Sequence, residues 1–190
     1  IENPKIIEFG VREGRSTKIF LDICEKKNGE LYSIDVEDYS HLYQSDKWTF
    51  IKARDDNFDF LEDKTPKFLD IIYLDSLHEA DHVEKIFYHY FSKLKINGLF
   101  FIDDISWLPY LKNEKRNNFY CEINNKETFD RILSIFQSNQ ENIDVSFSFI
   151  SSGMCMIKKK KNNLNSASTI KTRASSIKNI LRNFFNYIRK

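Results

Sequence analysis

The sequence predicts an α/β protein built on a mainly parallel sheet, and three observations support this fold class. Strand-like and helix-like segments alternate through residues 5–138, the order that parallel strands with crossover helices require. Apolar residues 6–9 run into a glycine-containing turn and a Ser/Thr helix start, an arrangement typical of α/β ligand sites. The last two strand-like segments are joined by 151–153, a hairpin length, so we expect an antiparallel edge.

Seven segments have strand character. The run 68–75 is apolar enough to be covered on both faces, and 99–103 is predicted to be buried like it. In chain order, the predicted strands are 5–9, 31–35, 48–52, 68–75, 99–103, 145–150 and 154–158.

Three helices are predicted between these strands from apolar periodicity. The first covers 17–26, and the last covers about 126–138. The first two each end at an Asn-Gly pair, at 28–29 and 97–98. The residues expected to form their buried faces are Ile19, Phe20 and Ile23 in the first helix, and Val83, Ile86, Phe87, Tyr90, Phe91 and Leu94 in the second.

Composition and charge divide the chain into an acidic body and a basic tail. A chain of 190 residues that is 41% hydrophobic can bury about two thirds of its unfolded surface in one core. Residues 158–190 contain ten Lys and Arg and no Asp or Glu, whereas the rest contains 19 basic and 28 acidic residues. We therefore predict a domain over 1–158, a basic flexible linker over 159–174 and a basic amphipathic helix over 175–190.

Cysteine usage and hydropathy indicate a cytoplasmic protein. Cys24, Cys121 and Cys155 are widely separated and form neither a disulfide framework nor a thiolate zinc pattern. No signal peptide is recognisable, and no apolar run approaches the ~20 residues that span a bilayer. Because the first strand begins almost at once and without Met, we expect a native segment to precede Ile1.

The turn after the first strand is the leading candidate for a nucleotide-like ligand. Gly10 and Gly14 lack Cβ atoms where the backbone must approach a ligand, and the helix beginning near Ser16 directs partial positive charge there. If Arg12 must take a positive φ, the cost is roughly 1–2 kcal/mol. The alternative is a tight strand-to-helix turn without a ligand.

Acidic residues follow the other strands. Asp35 ends the second strand, where an acidic residue accepts hydrogen bonds from ribose hydroxyls, although Glu37 and Asp38 are close enough to take that role. Asp75 and Asp103 end adjacent strands and Asp104 follows, so we expect three carboxylates to converge. Such a group suits a hard divalent cation that prefers oxygen ligands, and Mg²⁺ is the leading candidate. The alternative is a helix-capping Asp75 with two exposed carboxylates and no metal.

Histidines near Asp75 allow two interpretations. His78 is placed to accept a proton from an acceptor hydroxyl, or it only hydrogen-bonds locally at a helix start. Residues 78–82 also match H-E-x-x-H, in which His78 and His82 would bind zinc and Glu79 would act as a base. That motif begins a helix instead of lying within it, and it lacks a third ligand. We expect His41, His82 and His89 to be surface or boundary residues.

Four motifs together resemble class I S-adenosylmethionine-dependent methyltransferases, and are most similar to the branch with macrolide-sugar O-methyltransferases. They are Glu8-x-Gly10-x-x-x-Gly14, Tyr32-Ser33-Ile34-Asp35, Asp70-Ile-Ile-Tyr-Leu-Asp75-x-x-His78 and Lys95-Ile-Asn97-Gly98-Leu-Phe-Phe-Ile-Asp103-Asp104. The resemblance covers about residues 5–158. It implies a doubly wound, Rossmann-like seven-stranded sheet of order 3-2-1-4-5-7-6 with a C-terminal antiparallel hairpin.

The resemblance also implies roles for individual residues. Cofactor contacts fall on Glu8, Gly10, Gly14, Ser16, Asp35 and Asp75, with Asp55 or Asp56 near the adenine amino group. The methionine carboxylate of S-adenosylmethionine would lie at the glycine turn. Asp75, Asp103 and Asp104 would bind magnesium, which would hold an acceptor hydroxyl, and Asp75 and His78 would be catalytic. The implied reaction is methyl transfer to a hydroxyl of a small acceptor such as a sugar.

Acceptor recognition is expected from 105–124, the segment after the fifth strand. Its aromatic residues either stack on the acceptor or fill the core beneath a loop: Trp107, Tyr110, Phe119 and Tyr120. Three alternatives to an O-methyltransferase remain at this point: a zinc hydrolase, a catalytically idle interaction module, and a nicotinamide enzyme, which lacks its G-x-G-x-x-G fingerprint.

The tail forms a separate signal. One helical face of 175–190 is apolar, and its basic residues lie off that face. This pattern predicts attachment to an anionic membrane surface at the inner side of the cell, or to a protein partner. The alternative is docking on its own domain or on a second copy in a homo-oligomer. No motif for specific nucleic-acid recognition is present.

Overall fold

The computed structural model describes residues 1–108, 119–170 and 177–188, which form seven strands and five helices. The strands are β1 (Lys5–Phe9), β2 (Glu30–Asp35), β3 (Trp48–Lys52), β4 (Leu69–Leu74), β5 (Leu94–Asp103), β6 (Ile143–Ser148) and β7 (Met154–Lys159). The helices are α1 (Arg15–Lys27), α2 (Phe58–Glu62), α3 (Ala80–Phe91), α4 (Phe119–Ser138) and α5 (Ile177–Ile188).

The sheet confirms the predicted fold class and strand order. Its seven strands lie in the order β3-β2-β1-β4-β5-β7-β6. The first five strands in this order, from β3 to β5, pair in parallel, and β7 pairs antiparallel with both β5 and β6. Because parallel strands end at the same edge, the residues that follow β1, β2, β4 and β5 are brought together there.

The core lies between the central strands and the helices that cover them. Ile7 and Phe9 of β1 and Ile72 of β4 are completely buried, as expected for parallel strands covered on both faces. Helix α3 contributes Phe87, whose ring centroid lies 5.2 Å from that of Phe100 on β5. The apolar face predicted for this helix from Val83 to Phe91 is buried as expected.

Of the three residues predicted for the buried face of the first helix, Phe20 packs against a core cluster, whereas the prediction is wrong for Ile19 and Ile23. Ile19 is 62% exposed and Ile23 is 37% exposed, whereas Thr17, Leu21 and Cys24 are buried against the sheet. Thr17 faces inward because its hydroxyl donates a hydrogen bond to the buried carboxylate of Glu8. A polar contact therefore sets the orientation of α1, and apolar periodicity alone does not report it.

The end predicted for the second helix is also wrong. α3 ends at Phe91, and Leu94 is the first residue of β5, where it pairs with Leu69. The strand pairing shifts its register between Leu69 and Ile71, and Asn97 adopts φ 68° in the irregular part of β5. Leu94 fits the helical spacing by coincidence, because the first buried residue of β5 lies three residues after Phe91. The short helix α2 was not predicted, and α4 begins earlier than expected.

The segment 160–170, predicted as part of a flexible linker, packs against the domain. Leu164 and Ala167 contact the main core cluster. The backbone N–H of Asn165 donates to the side chain of Asn139 at 2.7 Å, and Tyr88 donates to the Asn165 carbonyl oxygen at 2.8 Å. The polar composition that suggested a solvated linker instead supplies these hydrogen bonds.

The C-terminal helix α5 leaves its apolar side chains in solvent. Those that the structure describes are between 50% and 81% exposed: Ile177, Ile180, Leu181, Phe184, Phe185, Tyr187 and Ile188. In the described part of the chain, no helix combines the length and the apolar character needed to cross a membrane.

Candidate active site

A cavity of about 860 Å³ opens at the edge where the parallel strands end. Seven of the predicted site residues line it: Gly10, Asp35, Asp55, Asp75, His78, Asp103 and Asp104. Glu8, Gly14, Ser16 and Asp56 lie outside its lining. The fold therefore brings together most of the residues that the sequence singled out, from the ends of all five parallel strands.

The turn after β1 requires its glycines. Gly10 adopts φ 92°, and a Cβ atom there would lie 2.0 Å from the carbonyl oxygen of Asp75. Gly14 adopts φ 71° and is the N-cap of α1. Arg12 adopts φ 49°, so the strained conformation considered for this residue is present. The turn lies close against the end of β4 and presents backbone to the cavity.

Asp35 organises this turn as well as lining the cavity. Its carboxylate accepts the backbone N–H of Val11 at 2.7 Å and that of Glu37 at 3.0 Å. The exposed Asp38 instead accepts hydrogen bonds from Ser40. Among the three acidic residues considered for ribose recognition, Asp35 is the one on the cavity.

Glu8 lies beneath the turn and not in the cavity. The side chain is fully buried, and one carboxylate oxygen accepts hydrogen bonds from Thr17 and Ser33, each at 2.7 Å. Burial raises the pKa of Glu8, and hydrogen bonds from neighbouring hydroxyls oppose that shift. In this position Glu8 joins β1, β2 and α1. Ser16 lines a smaller adjoining pocket of about 270 Å³ that also reaches Asp75.

Asp55 forms a buried hydrogen-bonded group that the sequence did not reveal. Its Oδ2 accepts the hydroxyl of Ser76 at 2.5 Å and lies 2.9 Å from Nε2 of His82. His82 is buried, at only 9% exposed, and lines the cavity, so its expected place at the surface or the boundary is wrong. Asp55 follows β3, whereas Ser76 and His82 both follow β4, and in the sequence His82 was distinguished only by the match of residues 78–82 to H-E-x-x-H.

Asp56, although adjacent, has a different environment. Its carboxylate contacts Arg54 at 2.9 Å and Lys85 at 3.2 Å. The hydrogen bond from Arg54 lowers the pKa of Asp56 to about 2. Of the two residues considered for the adenine position, Asp55 lines the cavity and Asp56 does not.

Replacing Asp55 should destabilise the fold more than replacing Asp56. We expect Asp55→Ala to lower the free energy of unfolding by about 1–3 kcal/mol, because it leaves the buried His82 without its partner. Asp56→Ala is the matched control and should cost less than about 1 kcal/mol, since it removes exposed ion pairs. Urea unfolding of both variants would measure this, and equal losses would contradict the structural role of Asp55.

The carboxylates of Asp75, Asp103 and Asp104 occupy one end of the cavity. Asp103 accepts hydrogen bonds from Tyr73 at 2.8 Å and Ser152 at 3.0 Å. Asp104 adopts φ 56°, a conformation that few non-glycine residues take outside constrained sites. Burial, followed by the charges of Asp103 and Asp104, raises the pKa of Asp75 to about 7.

His78 lies between two of these carboxylates. Its Nε2 is 3.6 Å from Asp75 and 3.3 Å from Asp104. The side chain is 32% exposed and lines the cavity, so an acceptor can reach it. This position is suited to receiving a proton and passing it to a neighbouring carboxylate.

The three carboxylates match a hard cation in chemistry but are not assembled around one point. Mg²⁺ prefers oxygen ligands, and its charge would offset the repulsion between the three negatively charged carboxylates. Within residues 1–108, 119–170 and 177–188, however, no three His, Cys, Asp or Glu side chains have the spacing of a metal site.

The zinc pattern is not formed as a helical pair. α3 begins at Ala80 with Glu79 as its N-cap, so His78 precedes the helix. His82, in the first turn of that helix, hydrogen-bonds with Asp55. The two histidines therefore belong to different hydrogen-bonded groups, as the position of the motif at a helix start suggested.

The predicted acceptor segment is only partly described. Trp107 packs on Phe129, with ring centroids 4.6 Å apart, and on Phe149 at 5.6 Å. Trp107 therefore belongs to an aromatic cluster and does not line the cavity. Tyr110 and the side chains of Phe119 and Tyr120 lie outside the described residues. On this side the cavity is bounded by Ser151 and Ser152 of the hairpin, which were not predicted to be site residues.

Comparison with solved structures supports the fold. The MycE methyltransferase from the mycinamycin biosynthetic pathway, in complex with Mg and SAH, shares 19% identity and superimposes with a TM-score of 0.63. The match covers 88% of this chain and 48% of that one, so the chain spans about half the length of MycE. The SAH-bound methyltransferase PaMTH1 from Podospora anserina gives 17% identity and a TM-score of 0.64, over 83% of this chain and 73% of its own.

Sequence comparison identifies the family. A search of curated proteins gave no match. The family model described as "Methyltransferase domain" matches residues 7–105, slightly more than half of the chain. This range contains the turn after β1, Asp35, Asp55, the carboxylates that follow β4 and β5, and His78. The chain therefore belongs to the methyltransferase-domain family, as its resemblance to class I S-adenosylmethionine-dependent methyltransferases predicted.

Proposed function

We propose that the protein transfers the methyl group of S-adenosylmethionine to a hydroxyl oxygen of a small acceptor. The observation that carries this proposal is the cavity, in which the glycine turn, Asp35 and the Asp75–His78 group line one continuous space. Membership of the methyltransferase-domain family supports the reaction class. SAH is bound in the solved structures of MycE and PaMTH1, which supports the choice of methyl donor.

In the proposed complex, Asp35 and the glycine turn orient the donor. The N-terminus of α1 and the backbone of the turn suit the carboxylate of its methionine part, since both present partial positive charge. Asp35 suits the ribose hydroxyls as a hydrogen-bond acceptor. Its existing bond to the N–H of Val11 couples the two subsites, because one carboxylate serves both.

The proposed reaction needs one proton acceptor. S-Adenosylmethionine supplies an electrophilic methyl group: the acceptor oxygen bonds to it while the carbon–sulfur bond breaks and its electron pair stays on sulfur. His78 takes the hydroxyl proton, and the nearby carboxylates of Asp75 and Asp104 stabilise the resulting imidazolium. Holding the two reactants in line within the cavity supplies the main rate advantage.

We further propose a divalent cation at the carboxylates and a sugar hydroxyl as acceptor. Asp75, Asp103 and Asp104 would hold the cation, which lowers the pKa of a bound hydroxyl. The raised pKa of Asp75 supports this assignment: burial is its main cause, and a cation would offset the repulsion from Asp103 and Asp104 that adds to it. A MycE structure with Mg, SAH and mycinamycin VI, at 18% identity and TM-score 0.59, supports the acceptor class.

Titration calorimetry with S-adenosylhomocysteine tests the cofactor site. We expect one-to-one binding that Asp35→Ala weakens by about ten- to a hundredfold, the value of a charged hydrogen bond of ~1.5–3 kcal/mol. Asp35→Asn should lose less, because its amide oxygen can still accept the N–H of Val11. Asp38→Ala, an exposed residue off the cavity, should bind as the unaltered protein does.

Two results would overturn the proposal for the cofactor. One is the absence of binding by protein that circular dichroism shows to be folded. The other is an Asp38→Ala variant as impaired as Asp35→Ala, which would place the ligand outside the cavity.

A further inference from the structure

We infer that α5 docks on an anionic lipid surface and holds the methyltransferase domain there. This goes beyond methyl transfer, because none of the α5 side chains that the structure describes lines the cavity. The observation is a helix whose described apolar side chains are exposed: Phe184 is 58% exposed, Phe185 57% and Leu181 50%. A contiguous apolar surface of this kind, exposed along a helix, is typical of a site that binds a membrane or another protein.

The apolar residues of α5 form one continuous stripe. At about 100° per residue, those from Ile177 to Ile188 fall within an arc of roughly 160°. Phe184 lies close to the centre of that arc, and Asn179 lies nearly opposite it. Lys178 and Arg182 lie next to the apolar stripe, on the side of Phe185. This is the arrangement of a helix that lies in a membrane interface, with its stripe inserted and its cations at the headgroups.

The charge of the tail selects an anionic surface. Residues 158–190 contain ten basic residues and no acidic one. Some of the charge nearest the domain is already used, since Lys160 pairs with Asp144 and Lys161 with Glu141. Lys178 and Arg182 belong to α5 itself, and no acidic residue in that helix competes for them. Negatively charged lipid headgroups complement both cations while the stripe enters the acyl boundary.

The same observations disfavour other occupants. Pairing with α5 of a second copy would bring two purely basic segments together, which like charges oppose. Docking on its own acidic body would bury the stripe, yet these side chains remain at least half exposed. Twelve residues extend about 18 Å, less than the ~30 Å hydrocarbon core, so the helix lies on the bilayer and does not span it.

Cosedimentation of the full chain with lipid vesicles tests this inference. We expect binding to vesicles of phosphatidylcholine and phosphatidylglycerol at 7:3, and binding at least tenfold weaker to phosphatidylcholine alone. Raising NaCl from 0.1 to 0.5 M should weaken the anionic binding severalfold, because the Debye length shortens. The double variant with Lys178→Gln and Arg182→Gln should bind about 25-fold more weakly, at about fivefold for each cation.

A matched pair of variants tests the apolar stripe. Phe184→Glu should weaken vesicle binding by about ten- to a hundredfold, because it removes an aromatic group that the bilayer would bury and adds a negative charge. Asn179→Glu adds the same charge on the polar face and should retain most of the binding. Binding of S-adenosylhomocysteine should be unchanged in both, so that failure of the tail and failure of the proposed cofactor site are distinguished.

Three outcomes would overturn the inference. Equal, salt-insensitive binding to neutral and anionic vesicles would remove the role of charge. Equal loss in Asn179→Glu and Phe184→Glu would remove the role of the stripe. A dimer in light scattering that Phe184→Glu converts to a monomer, together with no vesicle binding, would identify a second copy as the occupant.

Discussion

Gly10→Ala is expected to abolish measurable binding of S-adenosylhomocysteine, a loss of at least about a hundredfold, and to destabilise the fold by about 2–5 kcal/mol. The added Cβ would lie 2.0 Å from the carbonyl oxygen of Asp75, a distance that real Cβ atoms do not show. Alanine would also be strained at φ 92°. The turn or the end of β4 must therefore move, and both border the cavity. Calorimetry and urea unfolding would measure the two effects.

Gly14→Ala is the matched control for this substitution. It shares the positive φ, at 71°, but the atoms nearest to its Cβ would be in the side chains of Leu42 and Tyr43, at 3.0 Å. Side chains can shift where backbone cannot, so we expect a loss of about 1–2 kcal/mol, mainly from the left-handed conformation. If Gly10→Ala bound S-adenosylhomocysteine as well as Gly14→Ala does, the close approach at Asp75 would not matter for the cofactor.

Asp75→Asn is expected to stabilise the protein at pH 8 without divalent cations and to remove its response to magnesium. The pKa of Asp75 is raised to about 7. Above pH 7 the folded protein therefore contains an ionised Asp75, which burial and the charges of Asp103 and Asp104 disfavour. The full shift corresponds to ~4 kcal/mol. Because the side chain is 36% exposed, solvent screening reduces the expected gain to about 1–2 kcal/mol.

The sign of this effect sets its pH dependence. The penalty is present above pH 7, shrinks as pH falls and disappears below about pH 4, where the carboxyl group is protonated in both folded and unfolded states. Asp75→Asn should therefore match the unaltered protein at pH 4. With millimolar Mg²⁺ at pH 8 the order should reverse, since a bound cation stabilises only the folded protein with all three carboxylates.

Urea unfolding at pH 4 and pH 8, with and without Mg²⁺, distinguishes these contributions. Titration with Mn²⁺, followed by its electron paramagnetic resonance signal, should show affinity weakened by about 10–100-fold in Asp75→Asn. Asp46→Asn, whose carboxylate is 87% exposed and does not line the cavity, is the control and should change neither quantity. Equal responses to Mg²⁺ in all three proteins would contradict a cation at Asp75.

The strands and the convergence of their ends were predictable because both depend on local sequence. Short apolar runs followed by Asp35, Asp75 and Asp103 identify strands and their carboxyl ends. Parallel pairing then requires those ends to meet at one edge of the sheet. The need for glycine at Gly10 followed from the same local pattern, and its φ of 92° agrees with it.

Other features depended on contacts between distant segments. The orientation of α1 is set by the hydrogen bond from Thr17 to Glu8, which left Ile19 and Ile23 exposed. Leu94 belongs to β5 because it pairs with Leu69, although its spacing from Phe91 fits a helix. No periodic pattern carries this information, because each outcome depends on a partner from another element.

The sequence by itself determined the α/β class, the positions of its strands, the family and the clustering of acidic residues at one edge, since periodicity and strand-end chemistry are local properties. Only the tertiary structure decided what each acidic side chain does there. Glu8 is buried under the turn, Asp35 holds the N–H of Val11, and Asp55 holds Ser76 and His82. The physical reason is that a carboxylate's role depends on its burial and on the donors that other segments bring within about 3 Å.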